Sequence, residues 1–249
     1  MKSWMLCLLM LTVLSVVPGP GVAGDFQGTI IKSRGDVVIR DKHGQQRKPS
    51  ASNYVAVTNE IVDTHDGGRA VVKFTNGSLT VIGENSSLGI EKPTLFAHLK
   101  GKILFAFMKN TGPTRRVRTP SAVFGVRATT FVVGQDEKGE TLSLKEGLIH
   151  VEAQKGAFEI HKSRELSELG AFKAEIEKGV KDMKREGEAF IQKEKKDFVA
   201  FKKSFLVQPE QSIRIQGNRV EQNPMAASDK AVFEDFEAFA GEFLGDFKE

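Results

Sequence analysis

Val117-Arg118-Thr119-Pro120-Ser121-Ala122-Val123-Phe124-Gly125-Val126-Arg127-Ala128-Thr129-Thr130-Phe131 is the stretch on which the fold turns. Val, Thr and Phe dominate it, as they dominate β-strands. Pro120 follows Thr119, and a proline pushes the residue before it into extended backbone and cannot donate to a sheet ladder. The stretch therefore reads as one strand at 117–119, a corner at Pro120, and two further runs at 123–126 and 130–133.

Runs of the same kind lie on either side. Upstream they are 28–33, 36–40, 70–74, 79–82, 88–90 and 103–108; downstream, 142–144 and 148–151. Arg34-Gly35, Asn76-Gly77-Ser78 and Glu146-Gly147 punctuate them. Asn76-Gly77 reads as a tight hairpin of the I′ type, with both residues at positive φ. Many short strands closely spaced predict a sandwich, barrel or β-solenoid. In Ile103-Leu104-Phe105-Ala106-Phe107-Met108 both faces are apolar. Such a strand is buried twice, against the opposite sheet on one side and under a helix on the other.

The chain has 249 residues, a net charge of +4, one Trp and one Tyr. Weak basicity with so few stacking aromatics does not read as a nucleic-acid binder. Lys2, an apolar run from Met5 to Val17, and Pro18 to Gly24 have the three-part layout of a secretory leader, with cleavage near Ala23 or Gly24. That apolar run, roughly 13 residues, is short for a bilayer span. The sequence thus predicts a periplasmic or secreted protein, with no thiol once Cys7 is removed.

Beyond the β-like part the pattern changes. Leu166, Leu169, Phe172, Ile176, Val180, Met183, Phe190, Phe198, Phe201 and Phe205 recur at steps of three or four, which reads as a long amphipathic helix. Ser228-Asp229 reads as a helix start, and Phe233, Phe236, Ala240, Phe243 and Phe247 form a second stripe. The expected organisation is a leader at 1–24, a β domain at 25–156, an amphipathic helical segment at 157–206, a closing β segment at 207–222 and a C-terminal helix at 223–249.

The motif order resembles the FecR family. It runs from Glu60-Ile61-Val62-Asp63-Thr64 through Asn76-Gly77-Ser78-Leu79 to Leu99-Lys100-Gly101-Lys102. It continues with Thr119-Pro120, Gly125-Val126-Arg127-Ala128-Thr129-Thr130-Phe131 and Leu144-Lys145-Glu146-Gly147. The resemblance implies a mainly β protein: an all-β sandwich or solenoid-like FecR-type domain, here with a long α-helical insertion and a C-terminal amphipathic helix. Signalling members place a cytoplasmic helix bundle and a membrane span before this domain. The sequence shows neither, so the expected role is envelope binding or scaffolding. Two departures stand out. Ala128 occupies a position where the family usually has Gly, and we expect extended backbone there. Glu210 likewise replaces a frequent Gly in Val207-Gln208-Pro209-Glu210-Gln211, which looks like the family's closing strand.

The candidate interaction residues are Arg115, Arg116, Arg118 and Arg127, with Phe172, Phe190, Phe198 and Phe201 on the helical stripe. The arginines suit an anionic partner such as lipid head groups, wall polymer or an acidic protein face. Read structurally, Arg127 would bond backbone carbonyls, and the other three would occupy a solvated loop and strand edge. The Phe stripe suits an envelope protein, a second copy of the chain or, against its abundant Glu, a membrane surface. A ligand or glycan pocket around Arg127 is a further reading. His43, His65, His98, His150 and His161 are scattered, and Asp63, His65 and Asp66 read as a solvated loop. The expectation is therefore no catalytic residue, no cofactor and no metal.

Overall fold

The computed structural model describes residues 26–49, 54–108, 114–163 and 199–247. In chain order the strands are β1 (Gln27–Arg34), β2 (Val37–Arg40), β3 (Gln46–Arg47), β4 (Tyr54–Val57), β5 (Glu60–Thr64), β6 (Arg69–Phe74), β7 (Leu79–Ile82), β8 (Ser87–Lys92) and β9 (Leu95–Ala106). They continue as β10 (Arg115–Arg118), β11 (Ala122–Asp136), β12 (Gly139–Ala153), β13 (Phe158–Lys162), β14 (Val199–Lys202), β15 (Ser204–Val207), β16 (Gln211–Gln216) and β17 (Arg219–Pro224). Helix α1 (Ala227–Ala240) and a 3-10 helix (Gly241–Phe247) close the chain.

The strands form two packed layers joined by three long strands that bend from one layer to the other. In the first layer β1 pairs with β6, β6 with β7, and β7 with the second half of β9. The second half of β11, the first half of β12, β16 and β17 follow. In the second layer β2 pairs with β5, β5 with β8, and β8 with the first half of β9. There β10 lies between β9 and the first half of β11, and the second half of β12 pairs with β15.

Each bend carries a residue at positive φ: Gly101 in β9 (74°), Ala128 in β11 (52°) and Gly147 in β12 (92°). Ala128 is therefore left-handed rather than extended, contrary to the sequence expectation. The β11–β12 register shifts between Arg127 and Thr130, so an extra residue is accommodated there and the strand turns. Glu210 is left-handed as well, at 60°. Both positions thus hold the left-handed backbone that Gly adopts most readily.

Alternation along the strands fills the space between the layers. Phe105 and Phe107 of the first layer meet Phe96 of the second, with centroids 6.2 and 6.0 Å away, and Phe131 stacks on Phe105 at 5.3 Å. The opposite parity of the first layer supplies a second core, in which Val71, Val81, Leu104 and Ala106 pack under Phe233, Phe236 and Ala240 of α1. Strand β9 is buried on both faces as its pattern predicts, and the covering helix is the C-terminal one. Met108 lies past the end of the strand and is exposed.

Other expectations change. The hairpin between β6 and β7 has a four-residue loop, 75–78, in which Gly77 alone is at positive φ (78°). Its geometry is maintained by Asn76, whose side-chain oxygen accepts the Ser78 N–H at 2.9 Å. Helix α1 begins before Ser228, because the Asp229 carboxylate reaches back to the Ala226 N–H at 3.3 Å and accepts from the Ser212 hydroxyl at 2.7 Å. The helical segment read at 157–206 is corrected at both ends. Residues 158–162 form β13, and residues 199–207 form β14 and β15. Phe158 and Ile160 are buried with Glu159 between them, a period of two, while Phe201 and Phe205 sit on separate strands. Among the described residues α1 is the one α-helix, so the long helical insertion is not supported; residues 164–198 lie outside the described set. Strands β13 and β14 pair antiparallel, His161 opposite Val199.

Candidate functional site

The layers differ on their outer faces. Helix α1 covers the first, whereas among the described residues nothing covers the second. Cross-strand rows on the bare face follow from register. One row runs Leu95, Arg116, Gly125, His150, Leu206; the next runs Ala97, Arg118, Val123, Glu152, Ser204. Arg127 stands opposite Leu148 at the end nearest the β11 bend. Gly89, Ala97 and Gly125 keep the middle of the face flat, while Leu148 and Leu206 are 47% and 51% exposed. Arginine between exposed leucines on a flat sheet is what a protein or polymer contact surface needs.

Three of the four arginines proposed from sequence share this face. Arg116 and Arg127 are exposed and make no side-chain hydrogen bond or ion pair among the described residues. Arg118 pairs with Glu91. Arg115 points the other way: it is buried, donates to the Asn76 carbonyl at 2.8 Å and lies 5.6 Å from the Phe107 ring centre. Burial lowers the pKa of its guanidinium. Strand β10 has partners on both sides, so the basic cluster occupies a sheet interior rather than an edge. Nor does Arg127 bond backbone carbonyls.

Phe201, 72% exposed, lies on β14 opposite Glu159. Phe172, Phe190 and Phe198 fall outside the described residues. Leu148 and Leu206 were not singled out from the sequence. Leu148 could have been, since it shares the outward parity of His150 and Glu152. Leu206 lay in the segment read as helical.

A groove of about 750 Å³ runs where α1 meets the first layer, lined by Arg69, Lys100, Lys102, Asp235 and Phe236 among others. Arg127 is not among the residues that line this groove. Arg69 binds Asp235, Nη1 to Oδ1 at 3.1 Å, and this holds the Asp235 carboxyl below its usual pKa. Arg69, Lys32 and Arg34 lie 5.5, 5.1 and 5.8 Å from the Phe239 ring centre. These groups fasten α1 to the sheet.

The buried carboxylates serve backbone geometry. Glu60 accepts the Val57 N–H at 2.9 Å and binds Arg47. Asp63 binds Arg40 at 3.0 Å and Ser87. Glu140 fixes the Thr119-Pro120-Ser121 corner, accepting from the Thr119 hydroxyl and from the Ser121 N–H at 2.8 Å. Asp66 accepts from Asn85 at 2.8 Å on an exposed turn beside His65. No group of three or more His, Cys, Asp or Glu among the described residues is arranged to hold a metal ion. No described helix is long and apolar enough to cross a membrane.

The family model described as FecR protein matches residues 60–157, the stretch from β5 through β12. Strands β1 to β4 and β13 to β17 extend the same two layers beyond it. No curated protein matches the chain. Two crystal structures of a protein from Parabacteroides distasonis, described provisionally as an anti-sigma factor, are similar at 12% identity, with TM-scores of 0.45 and 0.44. Each match covers 70% of this chain, which spans 64% and 63% of the respective matched chains.

Proposed function

We propose that this chain is a non-catalytic FecR-type binding module of a bacterial envelope, engaging an anionic protein or polymer through the bare outer face of its second layer. The observation that carries the reading is the convergence of Arg116, Arg118 and Arg127 with exposed Leu148 and Leu206 on one flat sheet face that no described element covers. An envelope setting is supported by the leader-like residues 1–24. Absence of turnover is supported by the buried carboxylates, each engaged in holding a strand or corner. Capture from envelope extract tests the proposal. Wild-type protein should retain at least one component at low salt that R116E/R127E releases, because exposed charges set partner choice and salt dependence. Equal retention by both proteins would count against it.

A further inference from the structure

The two outer faces of the sandwich are complementary to each other. On α1, the stripe pointing away from the sheet is Ala227, Ala231, Glu234 and Ala238, all exposed, with Glu242 following in the 3-10 helix. Small side chains alternate with acid, and Glu234 and Glu242 make no ion pair among the described residues. Acids continue beside the helix at Asp136 and Glu137, on the rim of the groove. The one lysine of α1, Lys230, is held by Glu210 at 2.7 Å. On the far side of the molecule, the bare face offers the unpaired Arg116 and Arg127 and is flattened by Gly89, Ala97 and Gly125. An alanine-lined helix surface can approach a glycine- and alanine-floored sheet closely, which brings opposite charges face to face.

We propose that copies of this chain associate head to tail, the outer stripe of α1 on one copy seated on the bare sheet face of the next. The proposal rests on the reading of that face as a binding surface and names a second copy as its occupant. The two patches are different surfaces on opposite sides of the molecule, so the contact is heterologous. Each copy that binds leaves one patch of either kind free, and the assembly stays open-ended rather than closing as a dimer. Charge is the main recognition element, so association weakens as salt screens it.

Sedimentation velocity on the full chain, over a dilution series at low salt, tests this. The average mass of wild-type protein should at least double at the concentrated end, and ~0.5 M salt, where the screening length is about 4 Å, should return it to monomer. R116E/R127E makes both patches acidic and E234K/E242K makes both basic. Each should stay monomeric alone, and an equimolar mixture of the two should recover the wild-type mass. All four positions are exposed, and matching thermal melts show that the variants fold. A wild-type monomer throughout, or self-association that survives either reversal, would overturn the proposal. A monomeric wild type that still retains an envelope component lost by R116E/R127E removes self-association and leaves the binding face standing. If R116E/R127E changes neither measurement, both readings fall.

Discussion

The first layer and the second layer share one core and differ in what lies outside it. Outward residues of β6, β7 and β9 in the first layer are Val71, Val81, Leu104 and Ala106, and α1 buries them. Outward residues of β10, β11 and β12 in the second layer are arginines, His150, Glu152, Val123 and Leu148, and they meet solvent. A single sheet architecture thus carries a doubly buried face and a half-buried one, and the side-chain alternation of each strand states which it is. The lesson is that one outer face of this fold is committed to stability, whereas the other is left half-buried and contributes little to it.

The contrast is sharpest at Phe236, which seals the covered face. Phe236→Ala should cost about 3–5 kcal/mol in urea unfolding. A cost under about 1 kcal/mol would mean that α1 does not seal the first layer, and the contrast would fail.

His98 tests the junction between the layers, three residues before the β9 bend. Its Nε2–H donates to the Gly101 carbonyl at 3.0 Å, and its Nδ1 is buried without a partner. Burial pushes its pKa down to about 4. The folded pKa lies below the unfolded value near 6.5, so the unfolded chain binds more protons between the two. Stability from this group is then complete above about pH 6.5 and falls by up to about 3 kcal/mol as pH drops toward 4. His98→Gln should flatten that slope; an unchanged slope would show that the junction does not hold a neutral imidazole.

The β11 bend predicts a gain. Left-handed backbone costs an L-residue about 1–2 kcal/mol, and the extra freedom of glycine when unfolded offsets about half. Ala128→Gly, and Glu210→Gly by the same argument, should each stabilise by about 0.5–1 kcal/mol in denaturant midpoints. A loss at position 128 would show that the bend does not need positive φ. The smallest effect belongs to the bare face. Leu148→Ala should change stability by less than about 0.5 kcal/mol, since its side chain is already half in water.

Much of this was legible in the residues. The double burial of β9 could be read from Ile103 to Phe107, and the corner at Thr119-Pro120 from the proline. The outward parity of Arg116, Arg118 and Arg127 follows from the alternation of β10 and β11. What the sequence concealed was of two kinds. The left-handed backbone at Ala128 comes from register shifts between long bent strands, and no local residue type announces it. Strands β13 to β15 were hidden because Phe201 and Phe205, four residues apart, satisfy a helical stripe equally well. Only their partners, Glu159 for Phe201 and Val151 for Phe205, select the strand reading. The bare face as a site was half visible: its arginines stood out, but Leu206 joined them only through pairing with His150.

The pairing of His161 with Val199 brings the two exits of residues 164–198 onto neighbouring strands. Among the described residues the join is made by backbone pairing of β13 with β14, much as a seam holds two edges of fabric. Ladder hydrogen bonds come from the backbone, so exchanges among the exposed side chains of these two strands should leave the join intact.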